Sequence, residues 1–187
     1  LNRQPLLVPK KLELTAAEEL CARAGRMLGR GQADDAYDLF CDVLALDSIV
    51  LSGSATDAAA AIDEAGRLLV QAGAVEPAYV EAMHEREKSI STYMGNGLAI
   101  PHGTNEAKDT IRRTGLSFVR YPEPIDWNGK PAEFVVGIAG AGKDHMALLT
   151  KIAQVFLKAD DVARLREATT SEEVKAILIA GDTSSVT

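Results

Sequence analysis

Two histidines of this chain lie where an imidazole could do chemistry, and the first is His102. It follows the apolar run LAI (98–100) and stands between Pro101 and Gly103. Pro101 biases Ile100 toward an extended backbone, and Gly103 lets the chain turn sharply without crowding the ring. This pattern predicts a histidine at the carboxyl end of a strand, on the rim where open α/β sheets place their sites.

The second histidine, His145, follows the glycine-rich stretch GIAGAGKD, residues 137–144. A strand is predicted to end in the glycines and a helix to begin near Asp144, so His145 falls in the first helical turn. Free N–H groups and the helix dipole there attract an anion and disfavour an imidazolium. The stretch is not a P-loop, because no Ser or Thr follows Lys143 and the leading glycine is absent. Taken alone, it is equally compatible with a plain strand-to-helix turn.

Together the two stretches indicate a paired-imidazole site at one rim of a sheet. An imidazole pair beside an anion-binding helix start suits a phosphoryl group held covalently on a ring nitrogen. Such transfer needs donors for the phosphoryl oxygens but neither metal nor cofactor, provided that the donor is an activated phosphoramidate. The third histidine, His84, lies mid-helix in AMHEREK and is predicted to be a solvated helix-face residue. A metal-dependent hydrolase is the alternative, disfavoured because no carboxylate or cysteine joins the histidines at ligand spacing.

Strands and helices interleave around these residues, which predicts a layered α/β fold. Strands are predicted at 48–51, 98–100, 115–121 and 133–140, the last two separated by a loop that contains Asn128-Gly129. Helices are predicted from about Ser54 to Gly73, from Pro77, from about Asp144 to Lys158 with Met146 facing inward, and after the capping box at 170–173.

The N-terminal residues follow a different pattern. Residues 1–10 resemble a tail, and helical spacing at about 15–29 and 34–45 predicts a short helical hairpin. The 187 residues suit one domain plus an appendage, and a net charge of −7 argues against nucleic acid as a partner. No apolar run could span a bilayer. Cys21 and Cys41 are expected to be buried thiols, which favours a reduced cytoplasmic compartment.

From Asp47 to about Ala180 the sequence resembles the mannitol-type enzyme IIA domain of the bacterial sugar phosphotransferase system. The resemblance is carried, in order, by VEPAYVEAMHEREK, STYMGNGLAIPHGTNEAKD, TGLSFVRYPE, VVGIA, KDHMALLTKIA and TTSEEVKAIL. It implies a domain over residues 47–180, between an N-terminal tail and hairpin (1–46) without a family counterpart and a C-terminal tail (181–187). The implied fold is a mixed β-sheet flanked by helices on both faces.

The resemblance also implies roles for individual residues. His102 matches the histidine that accepts a phosphoryl group from the carrier HPr and passes it to a cysteine of a IIB domain, which serves a membrane IIC component. His145 matches the second active-site histidine, and Arg86 an arginine that would hold phosphoryl oxygens. The Thr104 hydroxyl could bond the ring or the phosphate. For Arg86, a surface ion pair with Glu85 or Glu87 is the alternative.

Two further questions stay open at this stage. A fructose-specific carrier or a regulatory IIA-like domain, whose phosphorylation is read by a protein partner, is the alternative to a mannitol carrier. Docking of protein partners predicts an apolar rim around His102, for which Leu98, Ile100, Met94 and Met146 are candidates, although each of them also suits the core. The oligomeric state does not follow from the sequence.

Overall fold

A mixed β-sheet forms the centre of the protein in the computed structural model, which describes residues 42–140 and 144–180. Its five strands are β1 (Ile49–Val50), β2 (Tyr93–Gly95), β3 (Leu98–Ala99), β4 (Gly115–Trp127) and β5 (Lys130–Ala139). The spatial order is β1-β4-β5-β3-β2. The β1–β4 and β3–β5 pairs are parallel, whereas β2–β3 and β4–β5 are antiparallel. The mixed sheet implied by the resemblance is therefore confirmed.

The long hairpin of β4 and β5 corrects one sequence-based prediction. The loop predicted between residues 121 and 133 is instead strand, closed by a two-residue turn at Asn128 and Gly129, both at positive φ. Pro122 and Pro124 suggested a loop because proline cannot donate to the ladder. In the structure they lie where the β4–β5 register shifts, between Arg120 and Ile125. The irregular ladder tolerates them there.

Five α-helices that lie wholly within the described residues surround the sheet, and two short 3-10 helices, Leu46–Ser48 and Asn105–Thr110, precede β1 and β4. The five α-helices are α1 (Ala58–Gln71), α2 (Ala78–Ser89), α3 (Asp144–Phe156), α4 (Ala159–Glu167) and α5 (Ser171–Ala180). Local capping sets their ends: the Asp57 carboxylate accepts the Ala60 N–H at the start of α1. At α5 the predicted capping box is present, since the Glu173 N–H donates to Thr170 Oγ1 and the Glu173 carboxylate accepts the Thr170 N–H.

The helices pack on both faces of the sheet, as predicted. Residues of β5 alternate between two buried clusters: Phe134, Val136 and Ile138 pack with α3, α4 and α5. Val135 and Ala139 pack instead with α1 and α2. Because this part of β5 is covered on both sides, the sequence from Phe134 to Ala139 is a continuous apolar run rather than an alternating one. The layered α/β/α arrangement follows from this two-sided burial.

The start of the described region also packs against the sheet. Val43 and Leu44 are buried in the cluster that contains α3, α4 and α5. The hairpin predicted over residues 15–45 lies almost wholly outside the described residues, as do Cys21, Cys41, the tail at 1–10 and the tail at 181–187.

Arg120 of β4 ties helix α4 to the sheet. Its Nη1 donates to the carbonyls of Leu165, Arg166 and Ala168 at the end of α4, and its Nε donates to the carbonyl of Leu51 after β1. The two N–H groups of Nη1 share three carbonyls, so one of these N–H groups is bifurcated, while the Nε–H serves the fourth carbonyl.

We predict that Arg120→Lys lowers the free energy of unfolding by about 2 kcal/mol, because an ammonium cannot reach all of these carbonyls. Urea unfolding measures the change. The control is Arg112→Lys, since Arg112 makes an exposed ion pair with Glu76, and we expect it to cost less than about 0.5 kcal/mol. Equal losses in the two variants would contradict the role of Arg120.

Candidate functional site

The backbone around His102 is held at the edge between β3 and β5. After β3 the chain continues through Ile100 and Pro101, and the Pro101 carbonyl accepts the Ile138 N–H at 3.0 Å. His102 forms an isolated parallel bridge with Ile138. On the other side, the Ile100 N–H donates to the Thr92 carbonyl. The histidine thus follows a strand at the sheet rim, as the sequence predicts.

One hydrogen bond orients the His102 ring. Nδ1 lies 2.8 Å from the Ile100 carbonyl oxygen. Because a carbonyl oxygen only accepts, the proton of a neutral ring must lie on Nδ1. The lone pair then lies on Nε2, which is the nitrogen available for nucleophilic attack.

His145 faces His102 from the first turn of α3. Their ring centroids are 5.0 Å apart, with the planes tilted by 60°. Gly140, the residue directly after β5, allows this approach because it has no side chain. A Cβ at this position would lie 2.5 Å from the Cα of His145. Thr114 Oγ1 donates to the Asp144 carboxylate at 3.0 Å, which ties the start of α3 to the segment before β4. The structure therefore brings together two imidazoles that are 43 residues apart in the chain.

Both rings are biased toward the neutral form. Burial lowers the pKa of His102, and the nearby Arg86 guanidinium adds to this, while the hydrogen bond to Ile100 opposes it. Burial also lowers the pKa of His145. Repulsion from Lys108, from Arg86 and from His102 whenever that ring is protonated lowers it further. The direction agrees with the prediction for His145, although burial rather than the helix dipole is the main cause. Neutral rings keep a nitrogen lone pair available.

Arg86, near the end of α2, lines the same cleft as His102. Its Nη1 donates to the Ile90 carbonyl at 2.7 Å, just beyond the helix end. The alternative for Arg86 was an ion pair with Glu85 or Glu87, but both carboxylates have other partners. Glu85 pairs with Lys88. The Glu87 carboxylate accepts hydrogen bonds from Thr92 and from Trp127 Nε1. A guanidinium partly engaged with a carbonyl retains donors for an anion.

An open cleft of about 370 Å³ extends from His102 along α3. Two of the four candidates for its apolar rim, Met94 and Met146, are 56% and 65% exposed. Ile100 is buried but lines the cleft. Leu98 belongs to the core. The inward position predicted for Met146 is wrong, because Met146 is exposed and Leu148 is the first buried residue of α3.

The remaining predicted residues lie in other contacts. The pKa of the Glu106 carboxyl is lowered, first by its own backbone N–H and then by the Thr104 hydroxyl. His84 is less solvated than predicted, since its Nε2 lies 2.7 Å from Asp63 Oδ1 across α1 and α2. A shallow groove of about 410 Å³ beside this pair, lined by Ala60, Asp63, Arg67 and Val80, shares no residue with the two-histidine cleft.

Sequence reasoning missed two residues that support the site. Tyr79, a buried residue of α2, bonds to Gly103 and Ile138 through its hydroxyl. Glu87 holds the segment that bonds to Ile100, because it accepts both the Thr92 N–H and the Thr92 hydroxyl. The role of Tyr79 leaves no local signal, since its partners lie 24 and 59 residues away. The partner of Glu87 is only five residues away, but no sequence motif marks this bond.

Among the described residues, no group of three or more His, Cys, Asp or Glu side chains converges in a way that could hold a metal ion. In the same ranges, every helix is too short or too polar to cross a membrane.

The described part of the chain is thus a layered α/β domain in which two imidazoles meet at the rim of a mixed sheet. A family model described as "Phosphoenolpyruvate-dependent sugar phosphotransferase system, EIIA 2" matches residues 42–180. This match spans well over half of the chain, and the chain therefore belongs to that family and is a component of the phosphotransferase system.

Individual relatives agree with this family. The chain is 45% identical, over 136 residues, to the mannitol-specific phosphotransferase enzyme IIA component of Staphylococcus aureus, covering 73% of this chain and 94% of that protein. It is similar to enzyme IIA in the complex of mannitol IIA and phosphorylated IIB from Escherichia coli, with a TM-score of 0.67 and 36% identity over 73% of this chain and 98% of that one. The nitrogen regulatory protein IIA-Ntr of Neisseria meningitidis matches with a TM-score of 0.66 and 31% identity, over 75% of this chain and 99% of that chain.

The lowered pKa values predict how stability depends on pH. Between the folded-state pKa and the ordinary value of 6.5, the unfolded chain binds more protons at these histidines than the folded protein does. Their contribution is therefore complete above 6.5 and declines as the pH falls through the folded-state pKa. We expect the urea midpoint to drop between about pH 7.5 and about pH 5.5, and to drop less in a His102→Gln, His145→Gln double variant. An equal drop in both proteins would contradict this assignment.

Proposed function

We propose that this chain is a mannitol-type IIA phosphocarrier that accepts a phosphoryl group on His102 and delivers it to a cysteine of a IIB domain. The observation that carries the proposal is the 5.0 Å approach of the His102 and His145 rings beside Arg86. The similarity to mannitol-specific IIA components supports the choice of sugar. HPr, as its phosphohistidine, is the proposed donor, and the IIB domain passes the group toward the membrane IIC component.

In the first step, the His102 Nε2 lone pair attacks the phosphorus of the donor phosphohistidine. A bond forms between Nε2 and phosphorus, and the bond between the donor nitrogen and phosphorus breaks, returning its electron pair to the donor ring. The Nδ1 proton of His102 stays on the hydrogen bond to Ile100. Since Nδ1–H is fixed, the ring presents one nucleophilic nitrogen in one direction.

In the second step, a cysteine thiolate of the IIB domain attacks the same phosphorus. The bond between phosphorus and sulfur forms, the bond to Nε2 breaks, and His102 regains its neutral, Nδ1-protonated form. Each step exchanges one labile phosphoryl bond for another, so no cofactor is required.

His145 and Arg86 are the proposed donors to the phosphoryl oxygens. A neutral His145 ring keeps one N–H to donate, and the guanidinium adds a permanent positive charge. Thr104 is proposed only as an auxiliary donor, because its hydroxyl also influences the Glu106 carboxylate.

We also propose the boundaries of the carrier unit. It comprises residues 47–180, together with Val43 and Leu44, which pack against it. We place the exchange in the cytoplasm, the compartment that the two cysteines favour.

A regulatory IIA-like domain is the second candidate, favoured by the likeness to IIA-Ntr of Neisseria meningitidis. Such a protein would accept phosphate at the same histidine, but its phosphorylation state would be read by a partner rather than passed to a permease. The higher identity to mannitol-specific components favours the carrier.

We predict that His102→Ala abolishes labelling by radioactive phospho-HPr, because the acceptor nitrogen is removed. His145→Ala should retain some labelling but slow onward transfer by about tenfold or more, since one donor to the phosphoryl oxygens is lost. Phosphate uptake is measured by gel autoradiography. Acid-labile, base-stable label on His102→Ala would contradict the assignment.

The matched control is His84→Ala, which removes an imidazole that is paired with Asp63 outside the cleft. Both steps should keep their rates in this variant. A large defect in His84→Ala would contradict the placement of His84 outside the site.

The acceptor separates the two candidate functions. We predict that phosphorylated protein loses its label within seconds to a mannitol IIB domain and much more slowly to a fructose IIB domain. Inertness toward every IIB domain, with His102 fully phosphorylated, would favour the regulatory protein.

A further inference from the structure

We infer that Tyr79 is a positioning residue for the transfer: its buried hydroxyl clamps the turn after His102 to the strand that leads to His145. Tyr79 lies in the first turn of α2 and is 2% exposed. Its hydroxyl is 2.8 Å from the Ile138 carbonyl oxygen and 2.9 Å from the Gly103 nitrogen. This inference rests on the proposed function for its catalytic consequence, but not for its geometry.

The two bonds of the hydroxyl have only one consistent direction. The Ile138 carbonyl can only accept, so the phenol proton points to it, and the Gly103 N–H can only donate, so it uses an oxygen lone pair. The hydroxyl must therefore be un-ionised to make both bonds. Burial keeps it so, raising the pKa of Tyr79 to about 12.

The aromatic ring holds the same turn by direct contact. A Cβ at Gly103 would lie 2.5 Å from Tyr79 Cε2 and 2.9 Å from Cζ, so the glycine backbone packs against the ring with no space for a side chain. This contact is independent of the hydrogen bonds. Gly103 is needed here for close approach to Tyr79, in addition to the turn that the sequence suggested.

Ile138 connects the clamp to both histidines. Its N–H donates to the Pro101 carbonyl just before His102, and its C=O accepts from Tyr79. Two residues later, Gly140 contacts the backbone of His145. Removing the hydroxyl leaves the Gly103 N–H and the Ile138 C=O without that partner, so the spacing of the two rings is no longer fixed from this side.

The test is Tyr79→Phe, which removes the hydroxyl and keeps the ring that packs against Gly103. Single-turnover transfer from saturating phospho-HPr should slow by about tenfold or more, because a small misplacement of reacting groups has this size of effect. The KM for phospho-HPr should be unchanged, since the hydroxyl is buried and cannot contact the donor.

The matched control is Tyr121→Phe. Tyr121 is equally buried and donates through its hydroxyl to the Glu64 carboxylate at 2.7 Å, and within the described residues it makes no hydrogen bond to either histidine segment. We expect a comparable loss of thermal stability but a transfer rate within about twofold of wild type. Equal slowing in both variants would show that the effect is general loss of packing, which overturns the inference.

A readout independent of transfer separates this inference from the proposed function. In ¹⁵N-labelled protein, the Nδ1–H signal of His102 should exchange faster with solvent in Tyr79→Phe than in wild type, and should be unchanged in Tyr121→Phe. Identical ring signals together with a wild-type rate would overturn the clamp. If wild-type His102 accepts no phosphate but its ring signals still respond to Tyr79→Phe, only the proposed function fails.

Gly103→Ala tests the same clamp from the other side, should Tyr79→Phe fail to fold. The added Cβ would push against the Tyr79 ring, and the transfer rate should again fall by about tenfold or more. A wild-type rate in Gly103→Ala would contradict the inference.

Discussion

The hydrogen bond from His102 Nδ1 to the Ile100 carbonyl is the interaction on which the site depends. It joins residues that are two positions apart in the sequence, with 2.8 Å between the two atoms. It selects the tautomer, the ring orientation and the nitrogen that is left free. A rotated ring would present a protonated nitrogen or point away from His145. The bond forms because Pro101 keeps Ile100 extended, so that the Ile100 carbonyl and the following ring share one side of the chain.

Much of the surrounding structure serves to keep that short segment in place. Strand β5 holds Pro101 through Ile138, the Thr92 carbonyl holds Ile100, and Glu87 holds Thr92. The same β5 leads to Gly140 and the start of α3, so a single strand relates the two histidines to each other. Strand β5 is the middle strand of the sheet and is buried on both faces, which suits a site where small displacements are costly. The methionines at the cleft edge are exposed, and flexible thioethers suit the two successive protein partners that the proposed function requires.

The sequence predicts the parts of this arrangement that depend on local rules. The position of His102 followed from Pro101 and Gly103, and the α5 start followed from the capping box at Thr170 and Glu173. The strand pairing between residues 121 and 133 did not, because Pro122 and Pro124 resemble loop residues unless the ladder is known to be irregular there. Helical periodicity predicts Met146 on the buried face of α3, but it cannot tell which end of that face the sheet leaves exposed. Tyr79 could not be identified at all, since its partners are set by tertiary packing. The meeting of His102 and His145 was predicted from the two strand ends that share one rim of the sheet, and the family resemblance implied the same pair.

The central claim is that Nε2 of His102 carries the phosphoryl group while Nδ1 keeps its proton on Ile100. Heteronuclear NMR of the phosphorylated, ¹⁵N-histidine-labelled protein tests it most directly, through ³¹P–¹⁵N coupling to the individual ring nitrogens. The account predicts coupling to Nε2 of His102 and a retained proton on Nδ1. Coupling to Nδ1 of His102, or to either nitrogen of His145, would contradict it.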